Sequence, residues 1–243
     1  NPAKFQLPGT STYIYNSGEG KCGGKPRVSI ADALRFSCNI PFAQLGLALG
    51  QDKIRQQAEL FGFGKKVSVP ISVTPSTYPS GMDDAQTALS SFGQFDDRVT
   101  PMQMAMVSAA IANGGKLMTP TLVNYVQSST LSILSQTVPS QLATPVTSEV
   151  AAGVKQMMIG AVSKGVSSNG QIKGVEVAGK TGTAQNGGDL PYTLWFTGFA
   201  PANNPKVAVA VVVEDGGGMG QRGFGNLLAA PVARKVMEAV LNK

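Results

Sequence analysis

Val175-Glu176-Val177-Ala178-Gly179-Lys180-Thr181-Gly182-Thr183-Ala184 is the stretch on which the fold turns. Its β-branched and small residues predict a strand from Val175 to Ala184. Alternate residues of a strand share a face, so Lys180 and Gly182 point the same way. With no side chain at Gly182, a groove opens along that face and Lys180 lies in it. Downstream, Tyr192 to Phe199 and Val207 to Glu214 are two further β-rich segments separated by Gly, Asn and Pro turns, and Leu227 to Leu241 has helical spacing. Three strands in sequence joined by short turns predict an antiparallel meander, with the closing helix packed on it.

Upstream the pattern is helical. Ser29 is placed to cap a helix over Ile30 to Phe36, and a second apolar segment follows from Ile40 to Leu49. Further helices are expected over Asp52 to Phe61, Asp84 to Phe92, Pro101 to Ala112 behind the cap Thr100, and Ser148 to Val162. Strand-like segments occupy Thr121 to Gln127 and Leu131 to Leu134, while residues 1–27 read as loop or ribbon. No fixed-period repeat or low-complexity linker divides the chain. The expectation is an α+β architecture over 1–243, with a helical lobe mainly at 28–165, an antiparallel sheet lobe mainly at 170–243, and a cleft between them.

Composition narrows the chemistry. A hydrophobic share of 42% in 243 residues is ample for a packed core and argues against disorder. Twenty basic against fourteen acidic side chains leave +6, but Lys and Arg form no run that could track a phosphate backbone, so nucleic acid is not expected as a partner. The absence of histidine excludes a Ser-His-Asp triad and His-based metal sites within these residues, so serine chemistry here needs a lysine base. Two cysteines cannot make a four-ligand zinc site, and the spacing of Cys22 and Cys38 is not that of a redox pair. No metal and no cofactor is expected. No stretch reaches the roughly 20 apolar residues of a membrane helix.

Three further short stretches carry possible site chemistry beside Lys180-Thr181-Gly182. Ser37-Cys38-Asn39 interrupts two apolar helices, and a turn held that way can aim a hydroxyl and an amide into a cleft, although Ser and Asn there could equally just cap helices. Ser167-Ser168-Asn169 has the same Ser-x-Asn spelling but sits in a Gly and Ser turn, where a plain turn is the better reading. Gly218-Met219-Gly220-Gln221-Arg222-Gly223 spells a dinucleotide fingerprint, yet the residues after it leave no room for the second strand and acidic partner of that motif.

Lys180-Thr181-Gly182 following Ser37-Cys38-Asn39 matches two of the three motifs of penicillin-binding proteins and class A β-lactamases. Phe92-Gly93-Gln94, Val99-Thr100-Pro101-Met102-Gln103-Met104-Ala105, Ile111-Ala112-Asn113-Gly114-Gly115 and Trp195-Phe196-Thr197-Gly198-Phe199-Ala200-Pro201 extend the likeness. From about Ala31 to the C-terminus the chain resembles the transpeptidase domain of class B penicillin-binding proteins, of the actinobacterial PBPA type. The resemblance implies a β-lactamase/transpeptidase-like fold and a peptidoglycan D,D-transpeptidase, active in cell-wall synthesis, division or shape. It would act on stem peptides through a serine acyl-enzyme, be acylated by β-lactam antibiotics, and work at the extracytoplasmic face of a bacterial membrane. A β-lactam sensor, a β-lactamase of the same fold, or a non-catalytic binding fragment are the alternatives.

Residue by residue, the resemblance implies that Ser37 relays a proton to the leaving amine, Asn39 orients substrate, and Lys180 supplies positive potential. Thr181 and Thr183 would bind a terminal carboxylate beside Gly182, and the Thr183 N–H would form half of an oxyanion hole. The nucleophile of this family is the serine of Ser-x-x-Lys, and no lysine here has a serine three positions before it. That segment is expected upstream, on the same or a separate chain, together with a membrane anchor, since Asn1-Pro2-Ala3-Lys4 is not the core of an export signal. An extracytoplasmic location would also allow a disulfide between Cys22 and Cys38.

Overall fold

The structure, a computed structural model, describes residues 1–67 and 69–242. A short ribbon of β1 (Lys4–Gln6) and β2 (Tyr13–Tyr15) is followed by helices α1 (Ile30–Arg35), α2 (Asn39–Leu49), α3 (Gln51–Leu60), α4 (Asp84–Ser90) and α5 (Pro101–Ala112). Four short strands come next, β3 (Leu117–Met118), β4 (Tyr125–Gln127), β5 (Ile133–Gln136) and β6 (Gln141–Ala143), paired β3 with β6 and β4 with β5. The last part holds α6 (Ser148–Lys164), the strands β7 (Ala178–Ala184), β8 (Thr193–Ala200) and β9 (Val207–Val213), and α7 (Gly225–Leu241).

The strands β7, β8 and β9 form the expected antiparallel meander in sequence order. Its two faces follow the alternation of the sequence. Phe196, Ala200 and Val209 turn to one side and pack on Ala229, Ala230, Ala233 and Met237 of α7. Ala178 and Phe199 turn to the other and pack on Ile111 of α5 and on Ala151, Met158 and Ile159 of α6. Phe196 and Phe199 are both fully buried, and at about 25 cal/mol per Å² such aromatic side chains contribute heavily to holding the layers together. The register puts Lys180 beside Thr197 and Gly182 beside Trp195, so these four share the α5 face.

Helix starts follow their caps. Ser29 Oγ accepts from the Asp32 N–H at 3.1 Å, and Thr100 Oγ1 accepts from the Gln103 N–H at 3.2 Å with Pro101 as first helical residue. Asp83 and Gln86 form a reciprocal capping box on α4. Thr147 caps α6.

Several boundaries differ from the sequence reading. The strand expected from Val175 starts only at Ala178, because Val175 is turned back on Ile172 across Gly174 in a local bridge. Within Thr121 to Gln127 only Tyr125–Gln127 is strand, since Thr121 Oγ1 binds the Val123 carbonyl in a turn. Leu131 has φ +63°, a left-handed conformation that places it at the tip of the β4–β5 hairpin and delays β5 to Ile133. The Gly218 to Gly223 segment lies in two 3-10 turns after an antiparallel strand, which is not the βαβ setting of a dinucleotide site.

Candidate active site

Two elements far apart in sequence meet at one polar contact. Lys180 Nζ, from β7, donates to Ser37 Oγ at 2.7 Å across 143 residues, and also to the Thr181 carbonyl at 2.6 Å. Enclosure of the ammonium, by desolvation alone, lowers its pKa from 10.5 to about 8. Lys180 as a residue keeps some surface exposure, while its ammonium is enclosed by protein. Next to it, Thr197 Oγ1 lies 2.6 Å from Ser108 Oγ and donates to the Met104 carbonyl, locking α5 against the sheet.

Ser37 owes its position to how α1 ends. The Cys38 N–H bonds the Ala33 carbonyl at 2.9 Å and the Ser37 N–H bonds the Leu34 carbonyl at 3.1 Å, which is the bond pair of a Schellman motif. Ser37 occupies the left-handed position of that motif, with φ +53°, where glycine is usual. A non-glycine residue there costs roughly 1 kcal/mol, and the result is a hydroxyl aimed at Lys180.

The turn is fastened from the N-terminal ribbon. Cys22 and Cys38 are joined as a disulfide with their Cα atoms 5.7 Å apart, and both are buried. Asn39 Nδ2 donates to the Tyr15 carbonyl at 2.8 Å, so the nitrogen of the amide expected to orient substrate is engaged within the protein. Buried Asn16, which the sequence reading did not single out, accepts from the Ile40 N–H at 3.1 Å and so supplies the cap that the Cys38 side chain does not.

On the other side, β7 is the edge strand of its sheet. Alternation turns the N–H and C=O of Thr181 and Thr183 outward, away from β8. Both threonine hydroxyls, expected to bind a carboxylate, have protein partners: Thr181 Oγ1 lies 3.2 Å from Ser167 Oγ, and Thr183 Oγ1 accepts from the Gly225 N–H at 3.3 Å. Gly182 is needed less for open space than for Trp195, since a Cβ there would lie 3.2 Å from the Trp195 Cβ. Gln94, quoted only as part of a motif, clamps the far end of the edge: its Nε2 donates to the Thr183 carbonyl and its Oε1 accepts from the Gln185 N–H, each at 3.2 Å. Between these props the Thr183 N–H faces outward.

Residues 3–238 match the penicillin binding protein transpeptidase domain. The chain belongs to that family. It is 40% identical over 241 residues to the peptidoglycan D,D-transpeptidase PbpA of Mycolicibacterium smegmatis, covering 98% of this chain and 49% of that protein. It is 41% identical to the PbpA of Mycobacterium tuberculosis over 97% of this chain and 48% of the relative. The chain thus spans about half the length of these curated relatives. The ceftriaxone acyl-enzyme complex of penicillin-binding protein A from M. tuberculosis superposes with a TM-score of 0.93 at 40% identity, over 99% of this chain and 54% of that one. The D,D-transpeptidase domain of a peptidoglycan glycosyltransferase from Eggerthella lenta gives 0.88 at 29% identity, covering 99% and 58%. The mixed helical and antiparallel fold of this penicillin-binding transpeptidase domain is therefore that of its relatives. Among its described residues no helix is long and apolar enough to cross a membrane, and no cluster of three or more acidic, Cys or His side chains could hold a metal ion.

Proposed function

We propose that the chain supplies the Ser-x-Asn and Lys-Thr-Gly sides of a peptidoglycan D,D-transpeptidase site, with the nucleophilic serine of Ser-x-x-Lys provided by a segment outside these 243 residues. The observation that carries this reading is the 2.7 Å contact between Lys180 Nζ and Ser37 Oγ, which joins the two lobes at one proton-transfer distance. Relatives named as D,D-transpeptidases support a transpeptidase over a β-lactamase or a sensor, and neighbours solved as β-lactam acyl-enzymes support acylation by β-lactams.

In the reaction proposed, the serine oxygen attacks the carbonyl between the two terminal D-Ala residues of a stem peptide. The oxyanion is met by the outward Thr183 N–H and by the serine's own N–H. The proton from the serine reaches the leaving amine through the Ser37 hydroxyl, the C–N bond breaks, and D-Ala departs. An acceptor amine then attacks the acyl-enzyme ester, the ester C–O bond breaks, and the amine's proton returns to the serine oxygen through Ser37, leaving the cross-link and a free serine. Lys180 holds positive potential over this path and attracts the terminal carboxylate. Because Thr181 and Thr183 have internal partners, their hydroxyls would bind that carboxylate by exchanging a weak contact of 3.2 to 3.3 Å for a charge-assisted one. The same chemistry would open a β-lactam ring. Location at the extracytoplasmic membrane face, with an anchor elsewhere in the protein, belongs to this proposal.

The test is intact mass after exposure to benzylpenicillin, for the chain alone and together with the serine-bearing segment. One antibiotic mass should be gained in the second case and none in the first. Labelling of the isolated chain would move the nucleophile into these residues and overturn the assignment.

A further inference from the structure

The second Ser-x-Asn, Ser167-Ser168-Asn169, has no place in the reaction above, yet Ser167 is fully buried. Its Oγ accepts from the Thr181 N–H at 3.1 Å and lies 3.2 Å from Thr181 Oγ1. Its own N–H folds back on the Ala161 carbonyl at the end of α6, 3.0 Å away. One residue earlier, the Val166 N–H donates to the Arg35 carbonyl at 3.1 Å. Gly165 lies so close that a Cβ would collide with the Arg35 carbonyl and sit 2.8 Å from that of Ala161. Three consecutive residues therefore touch both halves of the site. Arg35 is two positions before Ser37, and Thr181 is one position after Lys180.

Thr181 needs such a partner for a specific reason. Its N–H points to the outer edge of β7, where no strand among the described residues bonds it, so the sheet alone leaves this edge held from the β8 side only. The hook at 165–167 fastens it from outside and ties the same segment to the carbonyl end of α1. We infer that Ser167 is a positioning residue, which holds β7 against the Ser37 turn and thereby sets the Lys180 to Ser37 contact. The inference rests on the proposed roles of Lys180 and Ser37.

Its consequence for chemistry follows from burial. Among the described residues, desolvation is the cause of the lowered Lys180 pKa, with no charged neighbour contributing. If Ser167→Ala lets β7 draw away from the turn, water reaches the ammonium and the pKa climbs back toward 10.5. In the complete protein, Ser167→Ala should slow benzylpenicillin acylation about tenfold at pH 7, as expected for a small misplacement of reacting groups. It should also move the alkaline midpoint of the acylation profile upward, while reversible β-lactam affinity changes less than about threefold. An unchanged profile in a folded variant, or a loss confined to affinity, would overturn the inference. A second arm depends on neither the variant's folding nor the catalytic reading: in the unmutated protein the Thr181 amide should exchange with solvent as slowly as amides paired inside the sheet. Exchange at the rate of an open edge would refute the hook. Absence of any acylation in the unmutated protein would instead count against the proposed function and leave the exchange result standing.

Discussion

Lys180 offers the sharpest test of the electrostatics. With a pKa near 8 it is about nine-tenths protonated at pH 7 and about one-tenth at pH 9, so a rate that needs its positive charge falls about tenfold between those values. A second ammonium close by would pull this midpoint lower, and a bound substrate carboxylate would raise it. Lys180→Arg keeps the charge but removes its titration, because guanidinium stays protonated beyond about pH 12. The planar fork cannot reproduce the single 2.7 Å contact with Ser37, so the absolute rate should drop, on the order of tenfold or more. The alkaline limb, however, should vanish up to pH 10. The assay is stopped-flow acylation by a chromogenic cephalosporin in the complete protein, with the rate constant separated from affinity at each pH. A wild-type rate that stays level through pH 9 would mean that the charge on Lys180 is not required. A limb that persists in Lys180→Arg with the same midpoint would assign the titration to another group.

Ser37→Ala removes the hydroxyl proposed to pass the proton and should lower acylation by about 100-fold or more, with the fold intact by circular dichroism. Gln94→Ala deletes both bonds that clamp the end of β7, each worth about 1 kcal/mol, and should speed amide exchange at Gln185 about fivefold or more, read by NMR or mass spectrometry. Breaking the Cys22–Cys38 bridge by double Ser substitution frees a loop of sequence separation 16, for which the chain-entropy relation gives about 3 kcal/mol, seen as a lower calorimetric Tm. Two thiols reacting in the unreduced, unfolded protein would show instead that the bridge is not formed. Asp97 has a buried, unpartnered Oδ1, and burial, then Asp96, raises its pKa from 3.8 to about 7. The unfolded chain ionises this group first, so its cost is absent below 3.8, grows with pH, and is complete above about 7. Asp97→Asn should therefore stabilise at pH 8 by on the order of 2 kcal/mol, discounted for partial exposure, and make little difference at pH 3.5 in denaturant titrations.

What could be read from the sequence was whatever is local. The start of α5 followed from Thr100 and Pro101, because cap and first-turn proline act within four residues. The faces of the meander followed from alternation, which placed Lys180 and Gly182 together before any partner was known. Ser37 and Lys180 entered as two motifs, but nothing within either stretch states that 143 residues of chain bring them to 2.7 Å. The left-handed backbone at Ser37 was equally hidden, since propensity assigns that position to glycine, and only the closing of α1 onto Ala33 and Leu34 forces it.

The residues whose roles the sequence did not disclose share one property: each makes its holding bond to backbone. Gln94 binds the carbonyl and amide of β7, Asn16 caps α2, and Ser167 holds the Thr181 amide. A bond to backbone puts no demand on the partner's residue type, so neither sequence carries a trace of it. This explains why the two Ser-x-Asn stretches could not be ranked by spelling alone. Both serines face the Lys180-Thr181 pair, one through the ammonium and the other through the next amide. Ser37 is set in a strained turn with its hydroxyl on an ammonium whose pKa burial lowers to about 8, as a group that must exchange protons near neutrality requires. Ser167 is fully buried with its hydroxyl on an amide that never titrates, so its contribution can only be geometric.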